Sequence, residues 1–268
     1  MKTTSSFLNG FITLIGEIRK QLLTAWTYRA NTVIAMLTIG FVFIGIAFLM
    51  SDGTMSPEEI APMFVGYLTW FYAMGAIGDL SWGIRGEINA GTLEQISMSP
   101  TPIGIILLGR VFANLIISTV QLLIQGAILL LILDVRLPMR WEAIPALAIT
   151  LVGVFGFGFI LAGATLIFKQ IESMANLFQN MLMFFNGMLI PVAAMPGWLA
   201  AIARTMPTTQ GVYVLQRLLL DEASLADTWR DGSLIWLLVH SAIYFAVGWV
   251  VFSACERVAK AQGSLGQY

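Results

Sequence analysis

The residues that could do chemistry in this chain are few, and most stand alone. His240 is the only histidine and Cys255 the only cysteine among 268 residues. No H-E-x-x-H zinc motif, cysteine cluster or intrachain disulfide can form from that set. No G-x-x-x-x-G-K-[ST] phosphate loop occurs, so nucleotide hydrolysis is not expected of this polypeptide. Asp79 and His240 lie inside apolar runs, where an ionisable group suggests a route for ions or substrate. Used together, they fit a proton-coupled secondary transporter. Equally, Asp79 can reach the interface or pair with Arg85, and His240 can be a hydrogen-bonded structural residue. An intramembrane enzyme needs a nucleophile–base or metal set, which one histidine without a ligand cluster does not supply.

The densest polar writing is "RGEINAGTLEQISMSP", Arg85 to Pro100. Gly91 offers a helix stop, since glycine takes the left-handed cap without strain. Thr92-Leu93-Glu94-Gln95 fits a capping box, with Glu94 in the first turn where the helix dipole favours an anion. Thr101 can cap the following helix with Pro102 at its first position. The local chemistry describes a short rigid elbow, and this is equally a capped loop or a docking element.

What must position this elbow is almost entirely apolar. Hydrophobic residues make up 58% of the chain and charged ones 11%, with mean hydropathy +0.83. Soluble domains carry about 25% charge, so an all-α integral membrane protein is expected. The net charge of −1 gives no field that points to nucleic acid. Six segments have the roughly 20 apolar residues that a helix needs to cross a bilayer: 32–50, 60–83, 103–133, 144–168, 174–192 and 233–254. In the third, Arg110 places the first turns at the interface. Ahead of them, residues 7–29 carry Phe7, Phe11, Leu14, Ile18, Leu22 and Trp26 at helical spacing. That is an amphipathic helix lying in the membrane interface.

With both termini in the cytoplasm, nine of the 14 lysines and arginines fall inside, as the positive-inside rule requires. The elbow at 84–100 then faces the cytosol, and residues 193–230 lie outside. That outer region is apolar and punctuated by prolines. "GWLAAIART" and "QGVYVLQRLLL" read as short helices able to dip back into the membrane edge where protein covers the broken backbone. In the fifth segment, Asn176, Gln179, Asn180 and Asn186 can glue helices or line a pathway, and the glycines of the fourth, Gly153 to Gly163, allow close packing.

The elbow carries a resemblance. "GEINAGTLEQISMSP" is similar to the motif of the ABC-2 type transporter permeases, approximately E-x-x-x-G-T-L-E-x-[LI]-x-x-[ST]-P. Glu87, Gly91, Thr92, Leu93, Glu94, Ile96, Ser99 and Pro100 match it, while Ala90 stands where the family often has a base. The order of elements and the outer segment "IPVAAMPGWLAAIARTMP" also resemble that family, and more the drug, antibiotic and nodulation-factor export branch. The resemblance implies six spans per permease, with the elbow as a coupling helix seated on a separate ABC-type ATP-binding subunit. ATP and Mg would be bound there and no cofactor by this chain. It further implies a second permease copy, as homodimer or heterodimer, in the inner or plasma membrane and in contact with membrane lipid. Arg85, Glu87, Thr92, Leu93, Glu94 and Ile96 become the expected ATPase-docking residues. In the family, helices two and five face the dimer axis. Trp70, Phe71, Met74, Phe184, Phe185, Asn186 and Met188 are then the expected pathway for a hydrophobic or amphipathic substrate (drug, lipid or glycolipid), exported by alternating access.

Overall fold

The computed structural model describes residues 2–51, 53, 56–92, 95–96, 98, 103–138, 140–168 and 172–262, with side chains from residue 11 onward and without that of residue 172. Among the described residues the chain is helical throughout: α1 (Lys2–Thr27), α2 (Arg29–Met50), α3 (Pro57–Asn89), α4 (Ile103–Ile132), α5 (Ala143–Phe168), α6 (Glu172–Phe185), α7 (Gly197–Thr205), α8 (Thr209–Leu219), α9 (Leu225–Arg230) and α10 (Ser233–Ala261). Five of these, α2, α3, α4, α5 and α10, are long and apolar enough to cross a membrane. The chain is a multi-pass membrane protein, because only helices of this kind satisfy their own backbone in hydrocarbon.

The central helix is α3. Ser56 precedes it, Pro57 occupies its first turn, and Glu58 and Glu59 meet the positive end of its dipole. Its middle is buried on most sides: Phe64 and Tyr67 meet the ring of Phe43 of α2, and Trp70 and Phe71 pack against Tyr67. The closest helix pair is α5 with α10. A Cβ placed on Gly248 would sit 1.9 Å from the Gly156 carbonyl oxygen, so bare backbone is required at this crossing. Phe159 fills the space beside it against Phe245, Trp249 and Phe252. Helix α2 is held more loosely. The Gln125 side chain of α4 donates to the Met36 carbonyl at 2.6 Å, over Gly40, which leaves room for it.

The fifth expected span, 174–192, is helical only through Phe185. Fourteen residues rise about 21 Å, short of a bilayer core of about 30 Å. The helix stops because Gly187 takes φ +86 and Pro191 follows. Asn186 satisfies the broken end: its Nδ2 donates to the Gly66 carbonyl at 3.0 Å and its Oδ1 accepts from Met188 N at 2.9 Å. Hydropathy alone registers the apolar run, whereas this break depends on one amide meeting a neighbouring helix.

The two short helices expected after it are α7 and α8, and α9 adds a third, started by a Ser224–Asp227 capping box. They are sewn to the bundle. Gln216 donates to Pro62 O at 3.0 Å, Thr209 to Phe185 O at 3.0 Å, and Arg140 to Leu218 O and Ala223 O. The irregular backbone here is thus covered by protein, as membrane-edge segments require.

Candidate functional site

At the elbow, α3 runs on past its apolar part to Asn89 and stops as its glycine suggests. Gly91 has φ +68. Its N–H donates to Ile88 O at 2.9 Å, and the Thr92 N–H reaches back to Glu87 O at 2.9 Å. This pair of bonds is a Schellman cap, which satisfies the last carbonyls of the helix. The Thr92 hydroxyl does not start the next turn, as the capping-box spacing suggests. It donates back to the carbonyl and to the carboxylate of Glu87. The next turn begins with Ile96 N–H donating to Thr92 O at 3.0 Å. Leu93 and Glu94, with Ser99, Pro100, Thr101 and Pro102, lie outside the described residues.

Glu87 has a second task. Arg110 of α4, a buried guanidinium, donates from Nε to Glu17 Oε1 of α1 at 2.9 Å and from Nη2 to Glu87 Oε1 of α3. Lys20 lies 3.6 Å from the Glu17 carboxylate and 4.0 Å from that of Glu87. Side-chain exposure is 7% for Arg110, 12% for Glu17 and 18% for Glu87. Gly83 makes the space, because a Cβ there would lie 2.9 Å from Arg110 Nη1. Two carboxylates and two cations close a neutral cluster that ties the interfacial helix, the elbow and the fourth helix at one point. A partner removed from such a cluster leaves a buried charge alone, which is costly.

The other expected docking residues sit close by. Arg85 is half-buried on the last turns of α3, and Ile96 is half-buried and packs on the main apolar core.

Seven residues were expected to line a pathway, and the structure divides them. Phe71 and Met74 line a cavity of about 300 Å³ between α1, α3 and α4, together with Asp79, Asn114, Ser118 and Gln121. Asp79 turns to α4: its carboxylate accepts from Asn114 Nδ2 at 2.6 Å, and Ser118 donates to Asn114 Oδ1 at 3.2 Å. Trp70 is buried, with its indole N–H on the Gln179 carbonyl at 2.9 Å, and the Gln179 amide donates to Met74 O. These bonds staple α6 onto α3. Met188 packs on Gly66, where a Cβ would lie 2.8 Å from the Met188 Cα. Asn186 faces a second cavity, about 620 Å³, at the opposite end of the bundle, bounded by Arg204, Tyr213 and Trp236. Phe185 is half-buried, and Phe184 is exposed.

Asp79 and His240 are not brought together. His240 lies between the rings of Trp236 and Tyr244, 5.8 and 5.0 Å away, while Asp79 meets α4. Among the described residues no group of three metal-ligating side chains forms. The ionic cluster was not legible locally, because Glu17 and Arg110 are 93 positions apart. The one signal was the presence of Arg110 in an otherwise apolar segment.

The sequence model of the ABC-2 type transporter family matches residues 11–220. That stretch holds most of α1, α2 through α8, the elbow and the smaller cavity. No curated protein matches the chain.

Proposed function

The chain belongs to the ABC-2 type transporter family, and from that premise we propose that it is the permease of an exporter driven by a separate ATP-binding subunit. The observation that carries the proposal is the cluster around Arg110. An elbow that only joined two spans would need no buried ionic anchor. Here the last turn of α3 is joined through Glu87 and Arg110 to α4 and through Glu17 to α1. Displacement of the elbow therefore moves three helices together, as coupling to an ATPase would require. Leu93, Glu94 and Arg85 are assigned to the contact with that subunit. Glu87 and Thr92 keep the elbow in shape, and Ile96 seats it on the bundle.

The same reading places the elbow in the cytosol, both termini inside, and a second permease copy against α6. Asn176 and Asn180 are exposed on α6 beside Leu177 and Phe184. Among the described residues neither amide is hydrogen-bonded elsewhere. Lipid is a poor cover for bare amides, whereas the same helix of a second copy satisfies them. Substrate is then a hydrophobic or amphipathic molecule taken from the cytoplasm or the inner leaflet, with ATP and Mg held by the partner.

The test is Leu93→Ala and Glu94→Ala in the assembled transporter. Each is expected to lower transport-coupled ATPase activity while leaving the permease in the membrane. Full coupled transport with normal assembly in both variants would remove the docking assignment.

A further inference from the structure

The cavity between α1, α3 and α4 holds a carboxylate, Asp79, that feels the charge of Arg110 but makes no direct ion pair with it. Around Arg110, two carboxylates face two cations, so that cluster is neutral without Asp79. Among the described residues no cation stands within ion-pair distance of Asp79. Its partner is the neutral amide of Asn114, at 2.6 Å. That amide is itself fixed by Ser118, so it orients the carboxylate without neutralising it. Asp79 is exposed toward the cavity it lines. A carboxylate on a membrane helix without a direct cationic partner is costly and marks a functional group by default.

The rest of the lining limits what could pair with it. Phe71 and Met74 lie on α3 about two turns and one turn before Asp79 and line the same cavity. An aromatic face and a polarizable thioether next to a carboxylate suit an ammonium that carries an apolar tail. At about 300 Å³, the cavity is at the small end of ligand pockets, large enough for a headgroup and the first part of a chain. Gln21 and Thr24 of α1 close one side. Helix α1 also presents Phe11, Ile15, Leu22 and Trp26 outward, as a helix at the headgroup–acyl boundary does. A molecule anchored in the leaflet by its tail thus arrives with its head at the height of Asp79.

We propose that this cavity is the recognition site for the protonated amine of a cationic amphiphile, with Asp79 as the charge partner and Phe71 and Met74 against the proximal tail. The proposal names the substrate class for the exporter proposed above and rests on that reading. Asn114 acts as a positioning residue, since it holds the carboxylate and does not meet the ligand's charge.

The experiment uses the full chain in lipid nanodiscs without nucleotide, and a fluorescent dodecylammonium probe competed by dodecylamine, dodecanol or sodium ion. The expected result is saturable binding that dodecylamine displaces and dodecanol does not. Asp79→Asn should weaken it by about tenfold or more, the scale of one desolvated charge pair, and Asp79→Glu should restore most of it. Asn114→Ala is expected to give a smaller loss confined to the cationic probe. Equal weakening of cationic and neutral amphiphiles by Asp79→Asn, unchanged binding in that variant, or displacement by millimolar sodium in place of amine would each overturn the proposal. Binding needs no ATPase. Absence of ATP-driven transport in the unaltered complex, with amine binding intact, would therefore refute the exporter reading separately, and intact ATP-driven transport without amine selectivity would refute only this site.

Discussion

Replacing Arg110 with methionine should unseat the elbow more than any single change at its tip. The guanidinium is 7% exposed and bonds to two carboxylates that are 12% and 18% exposed. Without it, Glu17 and Glu87 face one another across the vacated space. At an effective dielectric of about 20, two like charges about 5 Å apart repel by roughly 3 kcal/mol. Breaking a buried pair by deleting one partner costs about 3–5 kcal/mol in general. Lys20 stands within 4.0 Å of both acids and offsets part of this, so a loss of about 3 kcal/mol is expected. The triple variant Arg110→Met, Glu17→Gln, Glu87→Gln leaves no lone buried charge, only the exposed Lys20, and should regain most of that stability while still freeing the elbow. Denaturant titration in detergent micelles, read by tryptophan fluorescence, measures the first effect. Amide exchange over residues 85–92 measures the second, and it should rise in both variants. Arg110→Met within about 0.5 kcal/mol of the parent, or exchange at the elbow unchanged, would refute the claim that this cluster anchors it.

Four further outcomes follow from single contacts. Gly91→Ala forces a side chain into φ +68 and should cost about 1–2 kcal/mol, with faster exchange at Thr92 as the readout. Gly248→Val cannot be accommodated against the Gly156 carbonyl, so α5 and α10 must part and the melting temperature in detergent should fall steeply. Asn186→Ala leaves the Gly66 carbonyl and the Met188 N–H without their partner and should cost about 1–3 kcal/mol by chemical denaturation. Cys255 is the only cysteine, so Cys255→Ser gives a background in which Asn180→Cys should cross-link two permease copies under mild oxidation. A monomer that never cross-links in the membrane would argue against α6 at a dimer contact.

Much of the bundle could be read from the chain because its signal is local. Apolar runs with few charges mark α2, α3, α4, α5 and α10, and the periodic Leu14, Ile18 and Leu22 mark α1. Helix α7 coincides with "GWLAAIART" because prolines fence it at both ends. Gly91 announced the end of α3 because few other residues fit that cap. What escaped reading depends on partners far away in sequence. Asn186 ends α6 only because Gly66 lies opposite, and Thr92 bonds to Glu87 in place of its own next turn because Arg110 already draws that carboxylate inward. Asp79 was weighed against Arg85 on its own helix, whereas its partner Asn114 sits 35 positions on. Glu87 was expected among the ATPase-docking residues from its place in the motif, and its bond to Arg110 comes only from tertiary packing.

The most direct check on the coupling role is a cross-link between the elbow and the ATP-binding subunit in reconstituted vesicles. Glu94→Cys in the Cys255→Ser background, paired with single cysteines along the partner's surface, should cross-link, and the bond should block ATP-driven efflux until it is reduced. Transport by the permease alone, sustained by a proton gradient in vesicles that contain no ATPase, would contradict it.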